Sequence, residues 1–147
     1  MIVANTGNDQ LLQIPVNANG TAGQPSVFVN SINGADGIVI DAHDNIWVAA
    51  NQSDEIVVVN PSGKVIAKLG DFRGVDEEGV PHGLLFPASP AFSPDGRTMY
   101  VTNVALDLRV LGIPESVDSQ WAQLVQHYTI AALPAVIPPL PDGDHDD

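Results

Sequence analysis

The 147-residue sequence contains no cysteine, which excludes disulfides and any thiolate metal site. Positive charge is nearly as scarce: 5 Lys and Arg stand against 18 Asp and Glu, a formal charge of −13. Nucleic acids and anionic membranes are met by clustered Lys and Arg, so neither is expected as a partner. No apolar run approaches the roughly 20 residues of a membrane span. The opening stretch "MIVANTGNDQ" lacks the basic start, apolar stretch and cleavage site of a signal peptide, so no export signal is expected in this chain. Also missing are a G-x-S-x-G elbow, an H-E-x-x-H helix and a phosphate-binding glycine loop. Helical periodicity is confined to "SVDSQWAQLVQ", residues 116 to 126. It predicts a turn or two of helix, capped by Ser116 or Asp118, with Trp121, Leu124 and Val125 on one face.

What remains is a succession of short strands. "QLLQIPVN", "SVFVNSI", "GIVIDA", "NIWVAAN", "EIVVVN", "KVIAKLG", "AFS", "TMYVTN" and "QHYTIAAL" are mostly rich in β-branched or aromatic residues. Gly, Pro, Asn and Asp clusters separate them. "NANG", "NPSGK" and "SPDGR" have the chemistry of tight turns. With 44% apolar residues, the chain can bury a core as one all-β domain.

The strands repeat. "GADGIVIDAHDNIWVAAN" (34 to 51) is echoed by "ASPAFSPDGRTMYVTN" (88 to 103), with Trp47 and Val48 opposite Tyr100 and Val101. Asn5, Asn51 and Asn103 are each expected to close a strand. A four-strand unit of about 40–50 residues is a propeller-blade period. Three blades are predicted, at about 1–33, 34–70 and 88–133, with a long rim loop at 71–87. The first blade lacks its innermost strand, the middle one is complete, and residues 134–147 form a Pro-rich acidic tail. Three blades cannot close a ring, and open blade faces would expose apolar surface. Half of a six-bladed propeller, completed by homodimerisation, is therefore expected; a fragment of a longer chain is the alternative.

In these residues the chain resembles the SMP-30/gluconolactonase/LRE-like family of six-bladed propellers, related to NHL-repeat proteins. The stretches that carry the likeness are "GADGIVIDAHDNIWVAANQSDEIVVVNPSGKVIAKLG", "FPASPAFSPDGRTMYVTN" and "VANTGNDQLLQIPVNANG". It covers about residues 2 to 130 and corresponds to the family's C-terminal half. The resemblance implies a central channel where acidic and amide side chains hold one divalent cation (Ca, Mg, Mn or Zn). There the metal polarises a lactone carbonyl while a carboxylate activates water. Asp36, in "ADG", matches the family's metal-binding Asp and is the candidate metal ligand and general base. Ala88 stands where the next blade would need an oxygen ligand, and the family's Glu ligand belongs to a blade that is not in this sequence. Full-length relatives are often exported.

The residues themselves leave alternatives. Asp36 is either such a ligand or an Asp that bonds its own "ADG" turn. Asn51 and Asn103 either line a ligand pocket or complete turns at strand ends. The segment 71–87 is either a lid over a small-molecule site or a solvated loop. It offers Arg73 for ligand binding and His82 for acid–base catalysis. Three functions follow: a binding scaffold with an incomplete metal site in each chain, a metal-dependent lactonase-like hydrolase assembled across a homodimer, or a truncated propeller without independent activity.

Overall fold

The computed structural model describes residues 1–114 and 117–136; Ser116 and most of the acidic tail lie outside the described residues. The strands form three blade-like antiparallel sheets and one two-stranded ribbon. The first sheet holds β1 (Ile2–Asn5), β2 (Gln10–Gln13) and β3 (Ser26–Val29). The second is a four-stranded meander of β4 (Ala35–Ile40), β5 (Ile46–Ala50), β6 (Glu55–Val59) and β7 (Val65–Leu69). The ribbon pairs β8 (Phe72–Val75) with β9 (Pro81–Gly83). The third sheet holds β10 (Pro87–Phe92), β11 (Thr98–Asn103) and β12 (Ile130–Pro134).

The alternation of side chains along β5 and β6 builds two cores from one sheet. Ile46, Val48, Ala50, Val57 and Val59 face the first sheet and pack with Leu11, Val29 and Ile32. Trp47, Ala49, Ile56 and Val58 face the third sheet and pack with Leu84, Met99 and Val101. Successive side chains of a strand point to opposite faces, so an unbroken apolar run such as "IWVAA" marks a strand covered on both sides. All five of its residues are buried. The flanking sheets are covered on one side only. In β11 burial alternates, and Tyr100 on its free face is 47% exposed, as is Val27 at 49% in the first sheet.

The turns follow their sequences. In "NPSGK" the Asn60 side chain accepts the N–H groups of Ser62 and Lys64, an Asx arrangement that lets Gly63 take a positive φ of 83°.

Three expectations are revised. Segment 71–87 is not an open loop: β8 and β9 make it a hairpin, because Asp76 accepts the N–H groups of Glu78 and Val80 and closes its turn. The three Asn residues are not equivalent. The register pairs Asn5 with Gln10 and Ala50 with Glu55, so Asn5 corresponds to Ala50, and Asn51 follows the strand. The N–H of Asn51 donates to Gly34 O just as that of Val104 donates to Phe86 O. Asn103 therefore also takes the place of Ala50. Third, the connection from β11 to β12 is a substantial insertion, residues 104–129, with a 3₁₀ turn (Leu108–Leu111) and the helix α1 (Val117–Ala122). Leu124, expected on the helix's apolar face, lies beyond it and is 52% exposed.

Candidate functional site

The rim where β4 and β10 begin and β1, β5 and β11 end collects most of the polar side chains named above. Asp36 lies in a bulge of β4, between the pairs Ala35–Ala50 and Ile38–Val48. The matching bulge of β10, between Pro87 and Pro90, puts Ala88 in Asp36's place. Such bulges re-aim a side chain locally, and Asp36 is half-buried. The two inner strands touch closely here: a Cβ on Gly37 would stand 2.3 Å from Ala88 O. Only a residue without a side chain permits that approach.

A clasp joins each sheet to the next. After β1 and after β5 comes a single 3₁₀ turn (Thr6–Asn8, Asn51–Ser53) ending on an Asp in the left-handed region, Asp9 or Asp54. Asp9 Oδ1 accepts the Gly34 N–H at 2.7 Å, and Asp54 Oδ1 accepts the Phe86 N–H at 2.7 Å. Gly34 and Phe86 both have positive φ, 66° and 48°, a conformation that strains a bulky residue like Phe86. Thr6 adds a bond to Ala35 O at 2.7 Å. The sequence carries this signal in "TGNDQ" and "NQSDE", an Asp before each third blade strand.

Asn103 is a structural hub. Buried at 4% exposure, it accepts the Leu85 N–H at 3.0 Å and donates to Gly83 O at 2.9 Å and Thr129 Oγ1 at 3.0 Å. Asn51 is buried too, yet its Oδ1 has no hydrogen-bond partner. A Cβ on Gly34 would lie 1.8 Å from that oxygen.

Arg73 and His82 come together elsewhere. They line a groove of about 430 Å³ with Asp71, Pro81 and the strand Ile130–Pro134. His82 Nε2 is 2.9 Å from Asp76 Oδ2, and Arg73 lies 3.8 Å from Asp71. The backbone N–H of Val80, with the His82 and Glu78 bonds, lowers the Asp76 carboxyl against a smaller opposing effect of desolvation. Asp36, Asn51 and Asn103 do not line this groove.

The insertion covers part of the rim. Phe72 of the hairpin meets Trp121 of α1 edge to face at 5.4 Å, and the N–H groups of Gln126 and His127 donate to Gly79 O. Asp118 of α1 lies near enough to Asp54 to act on it electrostatically. Burial, with Asp118 adding to it and the Phe86 N–H opposing it, pushes Asp54 up to about 7. Burial raises Asp118 as well. Nearby Asp107 is held down to about 2, chiefly by its hydrogen bonds from Arg109.

A divalent cation of the kind the family resemblance implies needs several converging oxygen donors. Among the described residues no group of three or more His, Asp or Glu could hold a metal ion, and Ala88 faces Asp36's position without an oxygen ligand. The described residues therefore do not form a complete metal site. No described helix is long and apolar enough to cross a membrane.

Comparison with known proteins agrees with this architecture. Residues 1–70 match the model of the SMP-30/Gluconolactonase/LRE-like region. No curated protein matches. A solved structure of a luciferin-regenerating enzyme superposes with a TM-score of 0.63 at 18% identity, covering 90% of this chain and 40% of that one. A calcium-binding protein, regucalcin from Agrobacterium tumefaciens, gives a TM-score of 0.55 at 24% identity, covering 76% and 37%. The chain thus spans about two fifths of the length of these two structures, whose likeness is one of fold. Residues 1–70 are thus similar to the SMP-30/Gluconolactonase/LRE-like region, and the third sheet continues the same all-β blade architecture.

Proposed function

We propose that this chain is a propeller-type binding scaffold whose own residues provide only part of a metal site. The observation that carries this reading is the pairing of Asp36 with Ala88 at equivalent bulges of the two inner strands. One carboxylate does not hold a divalent cation against water. Ligand binding belongs instead to the groove of Arg73 and His82, where a guanidinium and an imidazole stand beside the exposed strand β12. The free faces of the flanking sheets, with Val27, Tyr100 and Ile130 at 49%, 47% and 67% exposure, support completion of the propeller by a second copy of the chain.

The test is metal content of the purified protein by mass spectrometry, with lactone hydrolysis assayed in parallel and Asp36→Ala as control. The scaffold reading expects less than stoichiometric metal and no turnover. One equivalent of metal, lost together with turnover in Asp36→Ala, would replace it with a metal-dependent hydrolase assembled across a homodimer. Light scattering should give twice the chain mass; a well-folded monomer at working concentration would remove the dimer from the proposal.

A further inference from the structure

The third sheet is one strand short of the second. Where β7 pairs with the far side of β6, no described strand pairs with the far side of β12. Two hydrogen bonds flank β12: the Asn103 N–H donates to Thr129 O, and the Ala135 N–H donates to Arg97 O. Along an antiparallel pair, bonded and non-bonded residue pairs alternate. The register of β11 with β12 therefore bonds Ala131 to Val101 and Leu133 to Met99. Ile130 and Ala132 turn their N–H and C=O groups away from β11, and Pro134 its C=O. Among the described residues these outward groups have no partner.

The strand borders the groove of Arg73 and His82, which every residue from Thr129 to Pro134 lines. The β8–β9 hairpin forms the other wall, through Asp71, Arg73, Pro81, His82 and Gly83. At strand rise, the five residues of β12 span about 17 Å. We propose that this groove binds an extended peptide of a partner protein, which adds to β12 as a fourth, antiparallel strand. Such binding rests on the scaffold reading, in which this groove is the ligand site.

The middle sheet shows the same contact already made. Asn103 takes the place of Ala50, which pairs with Glu55, so Ile130 and Ala132 correspond to Ile56 and Val58. Those two residues pair with Leu69 and Ala67 of β7. β7 also packs Ile66, Ala67 and Leu69 against the core between the second and third sheets, so a peptide in the equivalent place needs small or branched apolar residues. Main-chain bonds supply the affinity. On the hairpin wall Asp71 and Arg73, 3.8 Å apart, offer one charge of each sign. The formal charge of −13 disfavours an acidic peptide at long range. Pro134 has no N–H, so the outward donors end at Ala132, which limits uncontrolled pairing along this edge.

Hydrogen exchange on the protein alone tests whether the edge is open. The Ala131 and Leu133 amides, bonded to β11, should be protected, while those of Ile130 and Ala132 should exchange near their intrinsic rates. Protection of Ile130 and Ala132 without peptide, in dilute or concentrated protein, would mean that this chain or a second copy already covers the edge. That result overturns a partner peptide as the occupant.

The probe for binding is a synthetic peptide of the chain's own β7 stretch, "KVIAKLG" (64 to 70), labelled for fluorescence anisotropy. Saturable binding is expected, with the Ile130 and Ala132 amides becoming protected. N-methylation of the peptide then removes chosen N–H groups without altering the protein. At its Ala67 and Leu69, which face β12 in this register, methylation should weaken binding about tenfold or more. At its Ile66 and Lys68, which face away, binding should stay within about twofold. Strand addition is overturned by no binding, by binding that leaves the two amides unprotected, or by no greater loss with the first methylation pattern than with the second. None of these readouts involves Asp36, so metal and turnover that overturn the scaffold reading leave them unchanged, and the two failures are told apart.

Discussion

Replacing Asn103 with Ala tests whether the third sheet is held to the hairpin by one amide. The side chain makes three hydrogen bonds, at 3.0, 2.9 and 3.0 Å, to Leu85 N, Gly83 O and Thr129 Oγ1. Leu85 is fully buried, so its N–H finds no water when the acceptor is removed. A buried donor left unpaired costs about 1–3 kcal/mol. Gly83 and Thr129 are only half-buried and recover part of their bonding from solvent. With the small void added, Asn103→Ala should destabilise by about 2–4 kcal/mol. That is a large share of the roughly 5–15 kcal/mol available to a domain of this size. Urea unfolding followed by circular dichroism measures the difference, and exchange of the Leu85 amide locates it. Asn103→Asp sharpens the test. It keeps the acceptor for Leu85 N–H but sets an ionised oxygen against Gly83 O, so its deficit should shrink as pH is lowered and the carboxyl becomes a donor. Its folded pKa is raised, so the protonated form's stability is lost as pH rises. A loss below about 1 kcal/mol with unchanged Leu85 protection would refute the assignment of Asn103 as the hub.

Other outcomes follow from the same geometry. Gly37→Ala places a Cβ 2.3 Å from Ala88 O. It should cost about 1–3 kcal/mol or more by forcing β4 from β10, read as a lower urea midpoint with an unchanged slope. Asp41 is raised by desolvation but lowered further by bonds from the Trp47 side chain, the Asn45 side chain and the backbone N–H groups of Asn45 and His43. Its folded pKa is depressed, so its contribution is present above about pH 4 and lost as pH falls below it. Asp41→Ala should therefore remove part of the acid-induced loss in a pH series of melting temperatures. Asn51→Ala removes an oxygen with no partner and should cost about 1 kcal/mol or less, well below Asn103→Ala in the same urea assay.

The blades were legible in the sequence because their signals are local. Strand period, Asx turns and apolar content depend on residues a few positions apart, which is why "NIWVAAN" and "EIVVVN" read as strands. The missing inner strand of the first sheet was visible in the same way. Asp36 and Ala88 could be matched by aligning two stretches of one chain. Register was not legible: a one-residue difference in the length of the β10–β11 unit puts Asn103 where Ala50 stands, and no local rule distinguishes that from alignment with Asn51.

Contacts across sheets decided the rest. A hydrogen bond from Phe86 N to Asp54 joins residues 32 positions apart, and Asn103 reaches back 20 positions to Gly83 O. Such pairs depend on how sheets stack and where an insertion settles, which hydrophobic burial and hydrogen-bond satisfaction determine over the whole molecule. Asp9 and Asp54 read alike in sequence. Only the tertiary structure sets one beside a shallow polar groove and brings the other under the electrostatic influence of Asp118.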